Sequence, residues 1–420
     1  MQIAQKPSSL ARAQADILIP GKGGPIANGV VVWKGNTIVY VGAQDNLPEE
    51  YCTLPYSEHK VIMPGMWDCH IHYLGATSVM METFTTTSQS LAGARSVPDL
   101  RNTVMAGFTS VREVGGYGCE LAKAVKEGAI MGPTIYSSHS AISMTAGHGD
   151  IHNVHLEGFK DLCAHGLPFT IADGVDECIK AVRLQLRRGA RVIKVCASGG
   201  VVSELDDPRH QEYSLEELKA IVDEARRVER VVAAHCHGKA GIMAALEAGC
   251  ATIEHGSYLD EEAIDIMVKK GVLLVATRSI LEGGLESPEL FSPGSYAKLV
   301  QIADSHAQAY ALAAKKGVRI ALGTDMALSG RSGALSYGSN GREVVFAVDA
   351  GLSPLQAIEA ATANGPLTIG PQAPLSGQLR EGYEADMIAL THNPLDDVKV
   401  LADANNVSHV WQQGKLIKSP

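Results

Sequence analysis

Two histidines stand two positions apart in "MPGMWDCHIHYLG", Met63 to Gly75, where a short apolar run ends. In a β-strand, residues i and i+2 share a face, so His70 and His72 project together while Cys69 and Ile71 face the other way. Two neutral imidazoles on one face are half of a site for a zinc-like ion. On its own the pair reads equally well as two polar residues at a strand exit, because so short a motif recurs by chance. Further candidate ligands recur in the same position along other apolar runs: Lys194 in "RVIKVCAS", His235 and His237 in "VVAAHCHG", His255 in "ATIEHGS" and Asp325 in "RIALGTDM". Each has a plain reading too. A strand-end histidine is usually a satisfied polar group, Asp325 could cap a helix, and Lys194 could be a buried lysine paired to a carboxylate. Cys236 lies between two of the histidines, but strand alternation aims it into the core.

Lys194 is the informative residue. A cationic amine is a poor metal ligand and is costly among valines. Desolvation lowers a lysine's pKa and leaves a neutral, nucleophilic amine. Such an amine can add carbon dioxide to become a carbamate, whose two oxygens can bridge two cations. The ligand set then divides into two. One divalent ion takes His70, His72, carboxylated Lys194 and Asp325; the other takes Lys194, His235 and His255. Zinc is the expected metal, although cobalt, manganese and iron accept the same donors.

These residues need elements that bring them together. Eight apolar runs alternate with helical stretches over roughly 270 residues, the strand count of a (β/α)8 TIM barrel. The runs are "VIMPGMWDCHIH", "GFTSVREVGG", "TIYSSHSAIS", "RVIKVCASGG", "VVAAHCHG", "ATIEHGS", "VLLVATRS" and "RIALGTDM". "SLEELKAIVDEARRVE" and "KAGIMAALEAG" carry helical spacing, with Ser214 as an N-cap. A doubly wound sheet is the competing architecture. The barrel is preferred because every candidate ligand falls at a run's C-terminal end, and in a barrel those ends meet at one mouth. That coincidence is what makes the plain readings fail together. Short Val/Ile runs broken by Gly and Asn near both chain ends read as strands of one small β-sandwich. The expected domains are therefore 1–62 plus 372–420 for the small β-domain, and 63–371 for the catalytic barrel.

With "DCHIH", "VIKV", "AAHCHG", "IEHGS" and "LGTD" in this order, the chain resembles the amidohydrolase superfamily, in the subgroup with two metals and a carboxylated lysine. The likeness covers nearly the whole chain. More narrowly, "SMTAGHGD", "LQLRRGARVIKVCASGGV", "HGKAGIMAALEAGC", "VATRS" and "PQAPLSGQLREGYEADMIAL" resemble the branch of ochratoxin-hydrolysing enzymes and Xaa-Pro dipeptidases. The resemblance implies a carboxypeptidase-like amide hydrolase acting on N-acyl amino acids or dipeptides with a free carboxylate, ochratoxin A included. It implies two divalent ions about 3.5–4 Å apart that activate water and polarise the scissile carbonyl. Asp325 would take the water's proton and pass it to the leaving amine. His237 would hydrogen-bond the carbonyl oxygen, or else serve only as packing beside the ligands. His148, in the glycine-flanked "TAGHGD", would contact substrate, its plain alternative being a solvated loop histidine. Arg278 would clamp the substrate carboxylate, or else sit in a rim salt bridge. Tyr213 reads as packing, and His139, His152, His155 and His165 show no ligand spacing. A cyclic-amide hydrolase of the imidazolonepropionase or hydantoinase kind, or a deaminase, is the alternative on the same scaffold. A non-catalytic scaffold is a third, disfavoured because no ligand is missing.

Composition narrows the partners. Lys plus Arg number 36 against 46 Asp plus Glu, a net charge of -10, which disfavours nucleic acid and anionic membrane. No apolar run has the length to span a bilayer. "MQIAQKPSSLARAQAD" lacks the apolar core of a secretory signal, so the cytoplasm is the expected compartment, with secretion left open. Eight cysteines without a C-x-x-C pair give no disulfide framework. Aromatic residues make up only 5% of the chain, which argues against a wide aromatic cage for a sugar or base. The family resemblance implies a homo-oligomer, up to an octamer.

Overall fold

The computed structural model describes residues 10–420. Residues 1–9, where the leader reading and the small-domain expectation begin, lie outside the described residues. The first four strands, β1 (Leu10–Leu18), β2 (Ile26–Lys34), β3 (Thr37–Ala43) and β4 (Tyr56–Pro64), join three from the other end of the chain. Between the two sets lie β5 (Met66–Ala76), β6 (Phe108–Glu113), β7 (Thr134–Ser137), β8 (Ala141–Ser143) and β9 (Phe169–Ile171). Then follow β10 (Ile193–Cys196), β11 (Val232–Cys236), β12 (Thr252–His255), β13 (Leu273–Val275) and β14 (Met326–Leu328). The last three are β15 (Met387–Leu390), β16 (Val407–Gln412) and β17 (Lys415–Lys418).

The two chain ends build one continuous sheet in the order β17-β16-β15-β4-β1-β2-β3, not the two packed sheets of the expected sandwich. Register shifts at Val32/Trp33 and Ala389/Leu390 bend its strands. The sheet curls until Ile38 N donates to Tyr383 O at 2.8 Å and the Trp33 indole N–H reaches Gly414 O at 3.0 Å. Leu18, Val31, Ile62, Met387 and Trp411 fill its concave face. Strand β1 starts at Leu10, inside the stretch that lacks the apolar core of a secretory signal.

The middle of the chain forms two parallel sheets, β13-β12-β11-β10-β8-β9 and β14-β5-β6-β7. Helices 174–188, 215–226, 239–248 and 261–270 pack in succession against one another outside β10 to β13. Ser214 caps the second of these as expected, with Glu217 completing a capping box. The third expected run splits into β7 and β8 around His139, whose φ of 61° breaks the strand. The eighth run is not a regular strand. It is held between β13 and β5 by a single bridge, Leu274 to Ile320, and by Cys69 N to Leu322 O at 2.7 Å. Gly323 permits that fit, since a Cβ there would lie 2.4 Å from Val275 Cγ1 and 2.8 Å from His70 Cβ. Among the described residues no helix is long and apolar enough to cross a membrane.

Candidate metal centre

Every expected ligand reaches the same cavity. His70 and His72 leave β5 on one face, and the segment after Ile320 returns Asp325 beside them, its N–H donating to His70 O at 2.7 Å. Asp325 Oδ1 lies 2.9 Å from His72 Nε2 and 3.5 Å from His70 Nε2. His235, His237 and His255 come from the ends of β11 and β12. Within each of these two triads the ligand-capable atoms lie within 4.8 Å of one another. Cys236 points into the core, fully buried.

The outward nitrogen of each imidazole is held, which fixes the other toward the cavity. His70 Nδ1 donates to Glu254 Oε2 at 2.7 Å and His72 Nδ1 to Gly115 O at 2.7 Å. His255 Nδ1 pairs with Thr277 Oγ1 at 2.7 Å, and His237 Nδ1 with Ser257 Oγ at 2.8 Å. His235 is turned the other way: its Nε2 meets Gly199 O at 3.2 Å. Supporting contacts of this kind fix the tautomer of a metal-binding histidine. Glu254 is itself gripped by Arg112, whose Nη2 lies 2.8 and 2.7 Å from its two oxygens and whose Nε donates to Cys69 O at 2.6 Å. Burial alone would raise the Glu254 carboxyl, but Arg112 and His70 hold it well below the carboxylate range.

The electrostatics suit cation binding. Burial pushes His70 down to about 4 and His237 to about 3, and it drives His235 and His255 well below their ordinary value. All four are therefore neutral at neutral pH, the form that coordinates metal. Burial opposes ionisation of Asp325, yet His70 and His72 hold it down to about 2. Lys194 is buried and its pKa is lowered by desolvation. Its Nζ lies 3.4 Å from His70 Nε2, and among the described residues it forms no salt bridge with a carboxylate. The carboxylate-paired reading of Lys194 therefore does not hold. Asp325, His255 and Thr277 have φ of 62°, 67° and 57°, left-handed values that cost about 1–3 kcal/mol each for non-glycine residues. Three of the eight non-glycine residues with positive φ among the described residues thus lie at or beside the ligands.

His148 lines the cavity, its ring stacked on that of His235 at 4.2 Å. Its backbone N–H donates to Glu212 Oε1 at 2.6 Å and its Nδ1 lies 2.9 Å from Ser203 Oγ. Arg278 does not reach the cavity. A helix, Arg278–Glu286, starts there and turns the guanidinium onto Glu282 Oε1 at 2.8 Å and Ala303 O at 2.6 Å. The expected carboxylate clamp is thus an intramolecular tie, and Thr277, Ile280 and Leu281 take its place in the wall. Tyr213 is packing, its hydroxyl donating to Ala172 O at 2.8 Å. His139, His152, His155 and His165 stand outside the cavity lining.

Sequence reasoning missed Glu254, Arg112, Thr277 and Ser257. Glu254 precedes His255, so alternation should place the two on opposite faces; the left-handed φ of His255 ends the strand and defeats that rule. The cavity, about 170 Å³, also has an apolar side that the sequence did not disclose. Phe84, Phe169 and Phe291, three of the chain's six phenylalanines, line it together with valines 201 and 202. The low aromatic content was a poor guide because it says nothing about where the few rings gather.

Comparison with known proteins agrees with this geometry. The Amidohydrolase family model matches residues 61–417. Ochratoxinase of Aspergillus niger is 49% identical over 97% of this chain and 86% of its own length. The crystal structure of A. niger ochratoxinase superposes with a TM-score of 0.91 at 46% identity, covering 99% of this chain and 97% of that one. A prolidase complexed with N-methylphosphonate-L-proline gives a TM-score of 0.90 at 31% identity over 98% of this chain and all 100% of its own. A Xaa-Pro dipeptidase with methionine bound in its active site gives 0.85 at 27% over 98% of this chain and 100% of its own.

Proposed function

The chain belongs to the amidohydrolase family and is a hydrolase, and from that premise we propose that it cleaves amides whose leaving amino acid keeps a free carboxylate. Its substrates are N-acyl amino acids and dipeptides with an apolar C-terminal residue, and ochratoxin A, which releases phenylalanine. The observation that carries this reading is the convergence of the two ligand triads on one end of an apolar, phenylalanine-lined cavity. The two parallel sheets are read as arcs of one (β/α)8 barrel, supported by the Leu274–Ile320 bridge on one seam and Arg191 N to Ser137 O at 2.8 Å on the other.

The donor set of neutral imidazoles, a carboxylate and a desolvated lysine fits two divalent ions, with zinc the metal we assign and Lys194 carboxylated. When bound, the pair supplies Lewis-acid polarisation of the scissile carbonyl and an activated water. The chain's own residues do the rest. Asp325, ionised at neutral pH, accepts the water's proton and delivers it to the departing amine nitrogen. His237 donates to the carbonyl oxygen as negative charge builds there. His148 meets the substrate carboxylate, a role that falls to it because Arg278 is tied elsewhere. The phenylalanine-lined wall excludes water and takes the apolar groups of the substrate. A homo-oligomer, up to an octamer, belongs to the same reading.

The test is a panel of N-acyl amino acids, dipeptides and ochratoxin A, each offered as free acid and as C-terminal amide, with the released amino acid measured. Loss of the carboxylate should lower kcat/KM by a factor corresponding to about 2–4 kcal/mol. Equal kcat/KM for acid and amide would remove the carboxylate from the specificity. Turnover of hydantoins or other cyclic ureides alone would transfer the protein to the cyclic-amide hydrolases.

A further inference from the structure

Beyond a contact with substrate, the position of His237 allows another role. We propose that His235, His237 and His255 form a three-imidazole site that binds one divalent ion by itself, before Lys194 is carboxylated and before the His70, His72 and Asp325 group is filled. The inference deepens the metal-dependent reading and rests on it.

Three observations carry it. The ligand-capable nitrogens of the three residues lie within 4.8 Å of one another, and all three side chains are buried. A tetrahedral ion at about 2.1 Å from each nitrogen would draw them to roughly 3.4 Å apart, which requires the His237 and His255 rings, now nearly parallel at 12° with centroids 4.7 Å apart, to tilt toward a common point. Each ring is already oriented by its far nitrogen, through Ser257, Gly199 O and Thr277. The near nitrogens, His235 Nδ1, His237 Nε2 and His255 Nε2, have no hydrogen-bond partner among the described residues.

The other triad is in the opposite condition. Asp325 Oδ1 is engaged by both His72 and His70, and the Lys194 amine lies 3.4 Å from His70 Nε2, where an ion would sit. Filling it requires those pairs to break and the neutral Lys194 amine to add carbon dioxide, its nitrogen forming the N–C bond and releasing one proton to solvent, so that a donor becomes a carbamate that accepts. Three imidazoles whose near nitrogens are free, with one position left for water, are therefore the readier site. Loading is then ordered: the first ion binds the three histidines, and carbon dioxide and the second ion follow. His237 is released to the substrate when the Lys194 carbamate replaces it.

The probe is Co²⁺ alone, added to metal-free protein and followed by calorimetry and by the visible absorption of four-coordinate cobalt. Wild type in carbonate-free buffer and the Lys194→Ala variant should each bind one ion. Adding His237→Ala in either background should weaken that ion at least about a hundredfold, beyond what loss of a supporting contact usually causes. Metal-free melting curves establish that each variant is folded, and the wild-type comparison stands if Lys194→Ala is not. No binding without the carbamate, or one ion whose affinity ignores His237, would overturn the proposal. If wild type binds one ion through His237 but never a second with bicarbonate, the three-imidazole site stands and the two-ion reading falls.

Discussion

Asp325 and Glu254 are both carboxylates close to His70, the first partly open to the cavity and the second fully buried, and they do different work. Asp325 Oδ1 faces the cavity between His70 and His72, whereas Glu254 stands behind His70 and is clasped by Arg112. If Asp325 carries the proton, Asp325→Asn should lower kcat by at least about a hundredfold, the lower range for general acid–base catalysis, with KM changing much less. An unaltered kcat in steady-state assays would move that role to another group. Glu254→Ala leaves the fully buried Arg112 guanidinium without its partner, so it should destabilise the metal-free protein by about 3–5 kcal/mol in denaturant unfolding. It also frees His70 Nδ1 and should weaken metal binding by about ten- to a hundredfold in chelator competition. Glu254→Gln, able to keep one hydrogen bond, should recover part of both. Unchanged stability and affinity in the alanine variant would contradict the positioning role.

At the scale of elements, what holds the cavity's outer wall is a loop and what holds the small sheet is a strand start. Residues 200–207 carry valines 201 and 202 into the cavity wall, and Lys298 pins this loop through Gly200 O at 3.3 Å and Ser203 O at 2.8 Å. Lys298→Met removes those charged hydrogen bonds and should raise KM by about tenfold while leaving kcat nearly intact, since the reacting groups are untouched. A fall in kcat alone would mean that the loop serves the chemistry instead. Asp386, just before β15, accepts from Gln413 N at 2.6 Å, and burial pushes its carboxyl up to about 7. Below the unfolded value near 4 both states are protonated; above it the unfolded chain ionises first, so this residue's penalty grows until the pH passes about 7. Asp386→Asn should therefore gain stability relative to wild type between pH 5 and pH 8, by roughly 2–3 kcal/mol. A difference in melting temperature independent of pH would refute that. Strand alternation made His70, His72, His235 and His237 legible in the sequence, because a period of two is a local property. The partners that fix them were hidden by distance along the chain: Arg112 and Glu254 are separated by 142 residues, and His70 and Glu254 by 184. Arg278 misled because a strand-end arginine looks the same whether or not a helix begins at that residue.

For the whole molecule, the sequence disclosed the order of candidate ligands and the alternation of runs, which is enough for the family and for locating the candidate metal centre. It could not disclose the cavity's other side. Phe84, Phe169 and Phe291 come from segments far apart in the chain, and only packing gathers them. The curled terminal sheet was likewise legible as strands but not as one sheet, since pairing between β4 and β15 joins residues more than 300 apart. Under the proposed function, ligands and wall together form a centre that needs its ions and takes an apolar amide beside them. The most direct measurement is phenylalanine release from ochratoxin A by protein stripped with a chelator and then reconstituted. The stripped protein should release none, and activity should return with zinc as the bound metal approaches two ions per chain. Full release by metal-free protein, or none at any metal content, would contradict a metal-dependent amide hydrolase of this substrate class.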